Sequence, residues 1–71
     1  MKLRITLRAA RMNMSLTQKE AAKKLGVTVD TLRNWEKGKS YPDAMRIRRI
    51  EEIYNVHYDD LIFLPRKTLK A

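Results

Sequence analysis

The sequence contains no cysteine and a single histidine. A disulfide, a zinc site of cysteine and histidine ligands, and a catalytic cysteine–histidine pair are therefore excluded. The acidic pair Asp59 and Asp60 follows His57, but adjacent residues on a helix point apart instead of converging. We therefore expect that the protein is not an enzyme and that it uses no cofactor, metal or small-molecule ligand.

Glycine and long apolar runs are also scarce. With two glycines, Gly26 and Gly38, the chain has no glycine-rich loop for phosphate. No apolar run approaches the roughly 20 residues that a transmembrane helix needs. Arg4, Arg8 and Arg11 interrupt the segment in which a signal peptide would be apolar. We expect no membrane partner and a cytoplasmic, nucleoid-associated protein.

Acidic residues are much fewer than basic ones. Sixteen lysines and arginines against eight acidic residues leave a net charge of +8 on 71 residues, a length that allows one domain with a small core. This excess favours a polyanionic partner, with nucleic acid first. The alternatives are a basic protein whose charge only keeps it dissolved and a basic membrane-surface helix, although here the charge is spread along the chain.

The segment 17–42 predicts two short helices joined by a tight turn. Thr17 and Glu20 form a T-x-x-E capping box at the start of the first helix. Gly26 stands where the chain needs a left-handed residue, and Thr28 is the N-cap of the second helix. Two short helices, a turn containing glycine and a basic context are typical of a DNA-binding helix-turn-helix.

The second helix of this segment has two distinct faces. Leu32 and Trp35 share one side, and a polar set lies opposite, with a valine at its edge. Arginine suits guanine O6 and N7, asparagine suits adenine N6 and N7, and a carboxylate accepts from cytosine N4. The alternative is an ordinary solvated helix face, but the flanking turn chemistry favours recognition. The residues predicted to read bases are Val29, Asp30, Arg33 and Asn34.

A longer set of residues at regular spacing surrounds this helix pair. The set consists of Leu7, Arg11, Leu16, Thr17, Gln18, Glu20, Ala22, Gly26, Val27, Thr28, Thr31, Leu32, Trp35, Glu36, Gly38 and Pro42. It resembles the pattern of lambdoid phage repressors and Cro proteins, a group that includes the xenobiotic-response-element regulators. The resemblance implies an all-α, lambda-repressor-like DNA-binding domain of five short helices over residues 1–64, with the helix-turn-helix at helices 2 and 3. A basic C-terminal tail would follow over residues 65–71. One departure is Ala21, where the family usually has leucine, and we expect Met12 or Met14 to fill the space.

Caps and apolar periodicity predict the other helices. A first helix starts at the cap Thr6 and ends near Asn13, and a fourth, capped by Asp43, covers Ala44 to about Tyr54. A fifth would run from His57 to about Leu64. The alternation of apolar and basic residues over Met1–Ile5 is compatible with an extended segment.

The resemblance also implies roles for individual side chains. Arg11 lies on or near the apolar stripe of the first helix, and its counterpart in the family pairs with the glutamate at Glu36; the alternative is a surface arginine whose stem covers apolar groups. In the family, the end of the recognition helix and the loop after it follow the phosphate backbone. The predicted phosphate contacts are Gln18, Thr28, Lys37, Lys39 and Tyr41, although each lysine alone would also fit a solvated surface position.

A homodimer, formed either in free solution or only on DNA, is expected because one recognition helix covers only a few base pairs and family members pair on two-fold operators. The chain carries an apolar run over residues 61–64, which a short helix cannot bury completely on one side. The predicted dimer interface is Tyr54, Tyr58, Ile62 and Phe63. The alternative is that Pro65 turns the tail back over these residues.

The function implied is that of a sequence-specific transcriptional regulator, a Cro-like phage or prophage repressor on a double-stranded DNA operator. Two alternatives remain open. One is an antitoxin-like module that binds a protein toxin, and the other is a nonspecific nucleic-acid binder.

Overall fold

Four α-helices, one turn of 3-10 helix and a pair of short strands make up residues 4–63, which are the residues that the computed structural model describes. In chain order the elements are β1 (Ile5–Thr6), α1 (Leu7–Asn13), α2 (Gln18–Leu25), α3 (Val29–Lys37), α4 (Ala44–Tyr54), the 3-10 turn (Tyr58–Asp60) and β2 (Leu61–Ile62). The mainly helical fold and the first four helices agree with the prediction. Leu64 and the predicted basic tail, 65–71, lie outside the described residues.

All four helices begin with the same cap chemistry. The side chains of Thr6, Thr17, Thr28 and Asp43 each accept a hydrogen bond from the backbone N–H three residues further on. These bonds satisfy donors that a helix start leaves without a partner. At α2 the capping box is complete, because the Thr17 N–H also donates to Glu20 Oε1 at 2.9 Å. The hydrogen bonds from the Thr17 backbone and side chain lower the pKa of the Glu20 carboxyl.

Left-handed residues end three of the helices. Gly26 and Gly38 have φ angles of 75° and 81° at the ends of α2 and α3, and Asn55 has a φ of 55° at the end of α4. A residue with a Cβ is strained in this region, which glycine enters freely and asparagine more readily than most. The sequence analysis predicted the left-handed conformation of Gly26, but not the positive φ of Ser15 between α1 and α2.

The core lies where α1, α2, α3 and α4 meet. Its buried residues are Leu7, Ala10, Ala21, Ala22, Leu25, Leu32, Trp35, Ile50, Tyr54 and Leu61. The expectation that a methionine fills the space beside Ala21 is wrong, because Met12 and Met14 are 56% and 41% exposed while Ala21 is fully buried. Small side chains on α2 allow its neighbours to pack close to its backbone, so no large residue is needed there.

The predicted fifth helix is wrong. His57 supplies no side-chain cap, and only one turn of 3-10 helix forms before the chain extends as β2. β2 pairs in parallel with β1, with Ile5 opposite Leu61 and Thr6 opposite Ile62. The extended N-terminal segment supplies strand hydrogen bonds to β-branched and apolar residues, which favour strands. This long-range pairing is more stable than a helix without a side-chain cap.

Candidate nucleic-acid interface

The two faces of α3 are separated as the sequence predicts. Leu32 and Trp35 are buried, with exposures of 0% and 5%, and fix the helix on the core. Asp30, Arg33 and Asn34 are exposed on the other side. Val29 is half-buried against the core and Lys37 is exposed at the helix end. A polar surface one helix wide is thus open to a partner.

Two of the predicted base-reading residues bind each other. Arg33 Nη1 donates to Asp30 Oδ1 at 2.9 Å, one turn apart on α3. Both side chains are exposed, at 45% and 85%, so the pair lies in solvent. Asp30 also stands in the first turn of α3, where a negative charge is favoured by the helix dipole.

A buried ion pair ties the end of α3 to α1. Arg11 Nε donates to Glu36 Oε2 at 2.7 Å, and Arg11 Nη2 donates to Glu36 Oε1 at 3.3 Å. The third guanidinium nitrogen, Nη1, donates to the Leu16 carbonyl at 2.8 Å, which fixes the turn that leads into α2. The ion pair that the resemblance implied is therefore confirmed.

Gln18 joins the same network from the first residue of α2. Its Nε2 donates to Glu36 Oε1 at 3.1 Å, and its side chain is half-buried. A side-chain amide carries two N–H donors, so this bond leaves one for the phosphate contact predicted for Gln18. Helices α1, α2 and α3 thus share one carboxylate, Glu36, as a common hydrogen-bond acceptor.

Thr28 is occupied mainly by its capping role. Its Oγ1 accepts from the Thr31 N–H at 3.1 Å and donates to Thr31 Oγ1 at 2.9 Å. Thr28 and Thr31 line a shallow cleft at the start of α3, together with Tyr41 and Arg46. Arg46, at the N-terminal part of α4, is a cation beside the start of α3.

The loop after α3 keeps its lysines at the surface. The Lys39 N–H donates to the Asn34 carbonyl at 2.9 Å, so the chain turns back immediately after the left-handed Gly38. Lys37 and Lys39 are both exposed beside the end of α3. The structure therefore brings two of the predicted phosphate contacts next to the predicted reading helix.

Tyr41 lies at the border of a second surface. Its ring meets that of Phe63 edge-on, with centroids 6.2 Å apart, and the Tyr58 ring lies tilted by 38° against the same Phe63 ring, with centroids 5.9 Å apart. These three residues line a small apolar cleft with Pro42 and Ile47. We call this set of five residues the aromatic surface. The sequence predicted Tyr58 and Phe63 for such a surface but placed Tyr41 only against phosphate, and it missed Pro42 and Ile47.

The predicted dimer residues fall into two groups. Tyr58 is 49% exposed, Ile62 is 36% exposed and Phe63 is half-buried, so all three reach the surface. Tyr54 is 1% exposed and belongs to the core, so its assignment to an interface is wrong. Its place in the apolar periodicity of α4 explains the burial.

Tyr54 also carries a buried hydroxyl. Its Oη has no hydrogen-bond partner among the residues described. Burial raises the pKa of the Tyr54 hydroxyl well above that of an exposed tyrosine, and the nearby Glu36 carboxylate raises this pKa further. Tyr54 is therefore neutral at physiological pH.

Known proteins resemble the chain over most of its length. A family model described as helix-turn-helix matches residues 7–61. An uncharacterized HTH-type transcriptional regulator of Archaeoglobus fulgidus is 33% identical over 67 residues, which cover 94% of this chain and 96% of the relative. The HTH-type transcriptional regulator ImmR of Bacillus subtilis is 38% identical over 56 residues, which cover 79% of this chain but 44% of ImmR. The chain thus spans less than half of ImmR. No solved structure gives a significant match.

The relatives also bear on the class of protein. They are named as transcriptional regulators, which is not an enzyme class. None of the helices within residues 4–63 is long and apolar enough to cross a membrane. Fold, motif spacing and relatives agree that the chain belongs to the Cro/C1-type helix-turn-helix family, whose members here are named as transcriptional regulators.

Proposed function

We propose that the protein binds double-stranded DNA sequence-specifically through α3 and represses transcription as a Cro-like phage or prophage regulator. The observation that carries this proposal is the arrangement of α3. One side of the helix is anchored by Leu32 and Trp35, and the other presents Asp30, Arg33 and Asn34 to solvent.

An α-helix with this arrangement fits the major groove of DNA, where all four base pairs present different donors and acceptors. Arg33 would donate to guanine, and Asn34 would exchange hydrogen bonds with adenine. Val29, half-buried at the edge of the face, would contact a thymine methyl group.

Base recognition requires a helix that is held in place, because a small displacement breaks bidentate hydrogen bonds. The network of Arg11, Gln18 and Glu36 supplies this support, since it binds the C-terminal end of α3 to both α1 and α2. The stabilising contacts lie behind the exposed face and leave it open.

Phosphate contacts would flank the reading helix at both ends. Lys37 and Lys39 lie beside its C-terminal end, and Thr28, Tyr41 and Arg46 border the cleft at its start. Such contacts give affinity and register, whereas α3 gives the sequence preference. The net charge of +8 supports a strong attraction to DNA in general.

The protein would bind its operator as a homodimer, since one copy of α3 covers only a few base pairs. The aromatic surface and the exposed Ile62 support this part of the proposal, because they are apolar and lie outside the polar side of α3. Repression would then follow from occupancy of a promoter, which blocks polymerase.

Selection from a pool of random duplex DNA, followed by sequencing, tests the proposal. We expect one enriched sequence with two-fold symmetry, bound at least about a thousandfold more tightly than random duplex at the same salt concentration. Placed over a promoter in a reporter gene, this sequence should lower expression when the protein is present. Failure to enrich any sequence would contradict sequence-specific binding, and increased expression would contradict repression.

A further inference from the structure

The ion pair on the exposed face of α3 assigns Asp30 a role different from base reading. We propose that Asp30 is a positioning residue, which holds the Arg33 guanidinium in one orientation for its base and thereby sets the specificity of that contact. This inference rests on the proposed function, since it requires that α3 faces DNA.

The geometry leaves Arg33 able to bind a base while it is held. Only Nη1 donates to Asp30 Oδ1, at 2.9 Å, and a guanidinium has five N–H donors in a planar fork. The edge that carries Nε and Nη2 remains available for two parallel hydrogen bonds to guanine O6 and N7. Asp30 therefore fixes one edge of the fork and leaves the other for recognition.

The energetic benefit is that Arg33 loses less side-chain conformational freedom when it binds a base. An exposed arginine samples many rotamers, and immobilising such a side chain on binding costs roughly 0.5–1.5 kcal/mol, a factor of about 2 to 12 in affinity. Arg33 is 45% exposed at its side chain, so the ion pair with Asp30 restrains it where packing does not. A carboxylate among phosphates also opposes binding to any DNA, so Asp30 lowers nonspecific affinity while it supports the specific contact.

The test is binding to the selected duplex and to every single-base-pair variant of it, with Asp30→Asn, Arg33→Ala and the double variant. Asp30→Asn keeps the shape of the side chain and removes its charge. We expect Arg33→Ala to abolish the preference at one base-pair position. Asp30→Asn should reduce the preference at that same position by about 3- to 10-fold, increase affinity for random duplex, and have no further effect on preference in the Arg33→Ala background.

A matched control is available on α4, where Arg49 and Glu52 form another exposed ion pair between residues three positions apart in the sequence. The distance from Arg49 Nη1 to Glu52 Oε1 is 3.4 Å. Glu52→Gln removes one negative charge from an i,i+3 pair outside α3. It should leave every base preference unchanged, which separates the loss of charge from the loss of positioning.

The outcomes are distinguishable. If Asp30→Asn changes the preference at a different base pair, or acts equally with and without Arg33, then Asp30 reads a base itself and the inference is overturned while the proposed function stands. The inference is also overturned if Arg33→Ala abolishes the preference at one base pair, as expected, but Asp30→Asn leaves the preference at that base pair unchanged. If Arg33→Ala alters no position, base reading by Arg33 fails, and positioning by Asp30 fails with it.

Discussion

Arg11 and Glu36 form a bidentate ion pair in the core, with Nε–Oε2 and Nη2–Oε1 distances of 2.7 and 3.3 Å and side-chain exposures of 9% and 4%. The pair joins α1 to the last turn of α3. Its burial means that neither charge is well solvated without the other, so the ends of these helices are stable only as a unit.

Removing one partner should therefore destabilise the protein strongly. We expect Arg11→Met or Glu36→Gln to lower the free energy of unfolding by about 3–5 kcal/mol, because each leaves a buried group without its partner. The double variant should lose much less than the sum of the two. Urea unfolding of the four proteins measures this coupling, and a coupling energy near zero would show that the pair contributes nothing as a pair.

Tyr54 should make the free energy of unfolding decrease with pH in the alkaline range. Its pKa is raised in the folded state, so the folded protein keeps a proton that the unfolded chain loses above about pH 10. Stability is then unaffected below that pH and falls above it, by up to about 1.4 kcal/mol per pH unit.

Tyr54→Phe should remove this contribution. At pH 7 the variant should be as stable as the parent or slightly more so, since the buried hydroxyl has no partner among the residues described. Tyr58→Phe, which changes an exposed ring, is the control for other groups that titrate in this range. A parallel decline of all three proteins above pH 10 would contradict the assigned role of Tyr54.

The dimer depends on residues at the surface. Ile62→Lys places a charge at an exposed apolar residue of the predicted dimer interface, and we expect about tenfold weaker assembly of two copies on the selected duplex. Met45→Lys, at a position 71% exposed and outside the predicted interface, should have no effect. Sedimentation of the free and DNA-bound proteins provides the measurement, and one copy bound to a full-length site without two-fold symmetry would contradict the dimer.

Local signals in the sequence predicted most of the first four helices. These signals act through hydrogen bonds and φ angles within a few residues, so they can be recognised without knowledge of the fold. Examples are Thr17 with Glu20 at a helix start, and Gly26 and Gly38 at helix ends. The pairing of Ile5 with Leu61 joins distant parts of the sequence, and neither segment alone predicts it.

Within the candidate site, the division of α3 into two faces was predictable because Leu32 and Trp35 follow helical periodicity. The direct bond between Asp30 and Arg33 was not, although their spacing allows it. Helical spacing identifies residues that can meet, whereas rotamers decide which of them do.

The proposed function requires that α3 reads bases while the loop after it binds phosphate. The direct test is the affinity of Arg33→Ala, Asn34→Ala and Lys39→Ala for the selected duplex and for random duplex over a range of salt concentrations. We expect the α3 variants to lose about 1–3 kcal/mol on the selected duplex and little on random DNA, because base contacts carry the specificity. Lys39→Ala should weaken both and reduce the slope of log affinity against log salt by about 1. Equal weakening of selected and random DNA by all three substitutions would contradict the assignment of α3 as the reading helix.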